Sequence, residues 1–185
     1  MVDHAWETLE HGARWALKHA RDISPTSRVQ GMGPLLRLWT YPARETYGSW
    51  TILVPVGSEQ RSRPMVREIV WNRRQDKRHL AAANRKRKVR TKLQPTIHVR
   101  DADISSEDLN PFLAAAACLF VPAKPLQDFL PLESISGLEG HGSLAYLRME
   151  WQGPGPVEWA DIILWVARLR NLLVASLTER ETGRA

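Results

Sequence analysis

Lysine and arginine are the residue types whose grouping in this chain could do chemistry. Residues 72–92 hold Arg73, Arg74, Lys77, Arg78, Arg85, Lys86, Arg87, Lys88, Arg90 and Lys92, ten of the twenty-six Lys and Arg of the 185-residue chain, against one acid, Asp76. The stretch carries a formal charge of +9 and leaves sixteen bases against nineteen acids elsewhere, a net of −3. The sequence pI near 9.9 therefore describes one segment of an otherwise slightly acidic chain. Each Lys or Arg seated at a phosphate releases condensed counterions, so such a segment is suited to nucleic acid or another polyanion. Sequence-specific readout is not implied. No aromatic residue interrupts the segment, Trp71 lies just before it, and no helix-turn-helix spacing, zinc-finger ligand set or RNP-type strand appears. A helix through it would set Arg73 over Lys77, Arg74 over Arg78, Lys86 over Arg90 and Lys88 over Lys92, like charges at i,i+4 that each cost a few tenths of a kcal/mol. The free segment is thus expected to be frayed or mobile, and to order on a polyanion.

Other reactive residue types are dispersed. The histidines, His4, His11, His19, His79, His98 and His141, have no His-Glu-x-x-His or paired-cysteine context, so no metal or cofactor is indicated. Cys118 lies in an alanine-rich apolar stretch and reads as a small buried hydrophobe. The glycines of residues 137–142 match neither a dinucleotide fingerprint nor a phosphate loop, and read as a hairpin or loop leading into the last strand. No catalytic residue can be assigned. The first expectation is a non-enzymatic binding protein whose segment 72–92 contacts nucleic acid or another polyanion. An alternative is a protein-partner module, of inhibitor or immunity type, that docks an acidic protein through the basic segment or a sheet face bearing Tyr146, Arg148 and Glu150. A third is an enzyme with a cleft assembled from Glu68, His98 and Asp101, which requires those side chains to converge.

The elements that must position these residues follow from periodicity. Residues 4–21 carry Trp6, Leu9, Ala13, Ala16, Leu17 and Ala20 at helical spacing behind the capping residue Asp3. Residues 35–41, 50–56, 65–71, 96–101 and 144–151 alternate as strands, the first two close enough to form a hairpin. Pro55 places its strand at an edge or turns that strand's far end out of the sheet. Asn110 and Pro111 suit the start of a helix reaching about residue 120, and residues 121–142 read as an irregular connection. Residues 157–178 form a helix with a wide apolar face that includes Ile162, Trp165, Leu169 and Leu173. Of the eight tryptophans, Trp15 and Trp39 lie out of phase with their apolar neighbours and are the candidates for partial exposure.

Strands joined by short connections, with helices at both ends, predict an α+β single domain over residues 1–185. Its mainly antiparallel sheet has about five strands, with both terminal helices packed on one face. A chain of this length buries roughly 70% of its unfolded surface, enough for a core without staples. The lone cysteine excludes an internal disulfide and fits a reducing compartment. The N-terminus lacks a basic start and apolar run, and the longest apolar stretch is too short for a membrane span, so a cytoplasmic location is expected.

Overall fold

Two neighbouring strands with apolar residues on both sides decide the architecture, because each side must be covered. The computed structural model describes residues 2–24, 26–42, 46–57, 63–85, 94–119, 134–141 and 147–182, with backbone alone at residues 2, 3, 84, 85 and 181. In chain order the elements are α1 (Val2–Lys18), β1 (Met32–Tyr41), β2 (Tyr47–Pro55), β3 (Met65–Trp71), α2 (Arg73–Arg85), β4 (Ile97–Asp103), α3 (Ser106–Ala116), β5 (Ile135–Gly140), β6 (Arg148–Gln152) and α4 (Ala160–Thr182). The strands form one six-stranded sheet, in the order β4-β3-β2-β1-β5-β6, with every neighbouring pair antiparallel.

The α+β class, the antiparallel sheet and the helices at both ends are as the periodicity predicts. Two particulars differ. The terminal helices divide between the faces instead of sharing one. Trp50 and Ile52 of β2, Val66 of β3 and Leu36 and Leu38 of β1 meet Ile162, Val166, Leu169 and Leu173 of α4 on one side. Tyr47 of β2 and Ile69 and Trp71 of β3 meet Leu9, Ala13 and Leu17 of α1 on the other. A strand buried on both faces needs two covers, and the narrow Leu/Ala stripe of α1 lets that helix lie close to the sheet.

The second difference is a sixth strand. β5 lies within the connection expected over residues 121–142, and its Gly137 and Gly140 hide the strand pattern. Gly137 is opposite Trp39 of β1, and a Cβ at that position would overlap the Trp39 indole and come within 2.7 Å of the Met149 carbonyl. The missing side chain makes room for the indole. Trp39 is accordingly 3% exposed, not partly exposed as its phase predicts, with the Arg37 and Arg148 guanidiniums 4.6 and 5.9 Å from its ring centroid. Trp15 is exposed, as expected.

Smaller shifts have local causes. β2 is internal, and Pro55 is tolerated because it is the strand's last residue. Helix α3 begins a turn before the expected Asn110: the Ser105 side chain accepts a hydrogen bond from Glu107 N at 3.1 Å, and Pro111 sits inside the helix. Burial of Leu109 favours the earlier start although Pro111 supplies no N–H. Cys118, expected to be buried, is exposed just beyond this helix.

Gly137→Val tests the seat of Trp39. The substitution is expected to destabilise the protein by about 1–3 kcal/mol through overpacking, measured by urea denaturation. An unchanged midpoint would mean that the indole does not need this space.

Candidate functional site

The basic segment is anchored by its only acid. Asn72 caps α2, its Oδ1 accepting from Gln75 N at 3.0 Å, in the Asn-x-x-Gln spacing of a helix start. Asp76, one turn in, is 3% exposed. Its Oδ2 accepts from Trp71 Nε1 at 2.7 Å and from Thr96 N at 2.9 Å, and its Oδ1 accepts from Thr96 Oγ1 at 2.7 Å. One carboxylate therefore ties the start of α2 to the end of β3 and the approach to β4. Leu80, buried one turn later, completes the inward side.

Arg73 is also turned inward. Its guanidinium lies 5.3 Å from the Trp6 ring centroid and 5.6 Å from that of Tyr47, and 3.7 Å from Glu10 of α1. Lys77 Nζ stands 5.4 Å from the Trp6 ring centroid while its side chain remains exposed. Trp6 in turn stacks on Trp71 at 5.8 Å. These contacts and the Asp76 network hold as a helix a stretch whose like-charge pairs predict fraying. Arg74 and Arg78 are exposed, as is His79.

The ten expected contact residues thus fall into distinct groups. Arg74, Lys77 and Arg78 form an exposed basic surface, and Arg73 is largely committed to the junction of α1, α2 and β2. Arg85 ends α2 with its side chain outside the described part, and Lys86, Arg87, Lys88, Arg90 and Lys92 lie outside the described residues. Residue spacing alone does not mark Asp76 as an anchor. The Asn72/Gln75 spacing was the legible sign of a helix start, and Asp76 falls on the turn it defines.

The expected cleft of Glu68, His98 and Asp101 does not form. Glu68 accepts from Trp50 Nε1 at 2.9 Å and from Arg100 Nε at 2.5 Å on the α4 face. Asp101 pairs with Arg67 on the α1 face, and His98 is exposed opposite Val70. Antiparallel register puts the two carboxylates on opposite sides of the sheet. Among the described residues there is no group of three or more His, Cys, Asp or Glu able to hold a metal ion, and no helix long and apolar enough to cross a membrane.

Next to the Arg73 junction, Tyr41 stacks on Tyr47 at 4.9 Å, and Arg14 lies 5.7 Å from the Tyr41 ring centroid. Burial pushes the Tyr41 phenol above its ordinary value, while Arg37 and Arg14 oppose the rise. A folded-state value above the unfolded one gives stability that is complete below about pH 10 and is lost as pH rises through the folded value. Tyr41→Phe should flatten the loss of stability above about pH 10, read by urea denaturation across that range. A variant with the same alkaline slope as the parent would assign that slope to other groups.

Asp76→Ala removes the acceptor of the buried Trp71 Nε1 and of the half-buried Thr96 N and Oγ1, and is expected to cost about 3 kcal/mol. Amide exchange along α2 should accelerate more than exchange in β1 and β2, while Asp76→Asn, which keeps an acceptor oxygen, should lose less. Equal losses for Ala and Asn would implicate the charge rather than the acceptors. Compared with protein-family models, with curated proteins and with solved structures, the chain matches none.

Proposed function

We propose that this protein binds nucleic acid through the phosphate backbone, using the outward face of α2 and the basic residues that follow it, without reading sequence and without catalysis. The observation that carries this reading is the separation of charge in α2. The segment's one acid, Asp76, is buried and hydrogen-bonded, so Arg74, Lys77 and Arg78 face solvent with no carboxylate of their own segment among them. Arg73 and Arg74, in the first turn of α2, also oppose its macrodipole, at about 0.3–1 kcal/mol each, and bound phosphates relieve both that cost and the mutual repulsion. Arg85, Lys86, Arg87, Lys88, Arg90 and Lys92 add charge next in sequence.

Phosphate contact suits this face better than base stacking. The aromatic rings nearest to it, Trp6 and Tyr47, are engaged by Arg73, and Trp6 by Lys77 as well. Among the described residues no ring is left standing beside the exposed bases as a platform.

The test is Arg74→Gln/Lys77→Gln/Arg78→Gln in the full chain, measured by fluorescence anisotropy with duplex and single-stranded probes over a salt series. Parent affinity should fall linearly in log–log form with salt. In the triple variant the slope for duplex should shrink by about 2–3, at about 0.9 per lost contact, with unaltered urea stability. Unchanged binding by the variant, or affinity that does not fall with salt, would overturn the proposal. A stoichiometric acidic protein retained in pull-downs after nuclease treatment, together with no binding to either probe, would establish the protein-partner reading instead.

A further inference from the structure

One line of polar residues crosses all six strands on the face that carries α1. In register order it runs Asp101 of β4, Arg67 of β3, Thr51 of β2, Arg37 of β1, Glu139 of β5 and Arg148 of β6. Arg67, Thr51 and Arg37 are buried at its centre. On the Arg67 side the hydrogen bonds are well satisfied: Asp101 accepts from Nε and Nη2, each at 2.8 Å, and the carbonyls of Ala20 and Ile23 accept from Nη1 at 3.1 and 3.0 Å.

The Arg37 side is left open. Arg37 Nη2 reaches Glu139 Oε2 at 2.6 Å, and its guanidinium is held over the Trp39 ring, but its Nε and the neighbouring Thr51 Oγ1 are buried without a hydrogen-bond partner. Both residues line a cavity of about 310 Å3 beneath the end of α1, with Lys18, Arg21, Asp22 and His141 in its wall. Lys18, Arg21 and Arg37 set three cations against two carboxylates, Asp22 and Glu139. Burial lowers the basicity of Arg37, and Glu139 only opposes that effect. A second acceptor at Nε would offset the remaining desolvation.

We propose that this cavity binds a small anion bearing a carboxylate or phosphate group, with Arg37 Nε and the Thr51 hydroxyl, both covered within the cavity wall, turning to donate to it and Lys18 and Arg21 neutralising it at the rim. Its volume lies at the small end of the roughly 300–1,000 Å3 of ligand pockets, which favours a compact molecule over a nucleotide. The site is separate from the exposed face of α2. It contains none of the residues proposed there to meet nucleic acid.

The experiment is calorimetric titration of the full chain with inorganic phosphate and, separately, with succinate, at constant ionic strength. Saturable binding of at least one is expected, with the head group identified by which one binds. Thr51→Val removes the hydroxyl at nearly constant volume and should weaken that ligand about tenfold to a hundredfold. Arg21→Gln, an exposed change, should weaken it severalfold, and the Arg37 Nε–H resonance should move on titration. The Arg74→Gln/Lys77→Gln/Arg78→Gln variant should bind the small anion as the parent does, whatever the fate of its nucleic-acid binding. Absence of saturation by both anions to about 10 mM, binding unaffected by both Thr51→Val and Arg21→Gln, or binding lost in the α2 variant would each overturn the proposal.

Discussion

A guanidinium shielded from solvent lies on β3, one strand in from the sheet edge, and the placement of the first helix follows from how its donors are satisfied. Arg67 takes both oxygens of Asp101 from the adjacent strand and two carbonyls from the turn that leaves α1. Losing one partner of such a buried pair typically costs about 3–5 kcal/mol, because the other charge stays behind in a low dielectric. The end of α1 is thereby tied to the sheet. The helix body is then brought over Ile69 and Trp71, and Leu9, Ala13 and Leu17 close that half of the core.

The docking of α1 is what gives α2 a surface to rest on. Trp6 and Glu10 of α1 receive Arg73, and Trp6 stacks on the Trp71 ring whose N–H is taken by Asp76. Arginine and lysine are used here in two ways. Arg73 lies over aromatic rings, where part of its desolvation is offset by cation–π attraction, whereas Arg74 and Arg78 are left to water. Burying the acid and exposing the bases turns a run of mixed composition into a surface of one sign.

The opposite face serves stability in a more conventional manner. Its core is continuous from β4 to β6 under α4, and its buried polar groups are paired: Glu68 with Trp50 and Arg100, and Trp165 Nε1 with the Phe112 carbonyl at 3.0 Å. The α1 face differs because unpartnered polar atoms remain on β1 and β2, those of Ser49 and Trp39 as well as of Thr51 and Arg37. Polar groups in such positions are paired in most folded proteins, so the contrast between faces directs attention to this one.

Local pattern carried a large part of the fold. Alternation in β3 is legible residue by residue, the stripes of α1 and α4 follow helical spacing, and the concentration of charge between residues 72 and 92 is a property of sequence alone. Strand β5 was illegible because Gly137 is defined by an indole almost a hundred residues earlier in the chain. The phase of Trp39 is opposite to that of Leu36 and Leu38, which reads as exposure; Arg37 covers it from two residues away on the same side of β1, whereas Gly137 and Arg148 lie on β5 and β6. Which cation meets which carboxylate, and on which face, is likewise absent from periodicity. Side-chain spacing reports only that a residue points to one side or the other, whereas partners such as Arg67 with Asp101 or Asp76 with Thr96 are chosen by strand order and register. Local spacing accounts for α1, α4, most of the strands and the amount of charge, whereas β5, the ordering of α2 and the division of charges between buried pairs and water depend on long-range pairing, which alone fixes what each side chain meets.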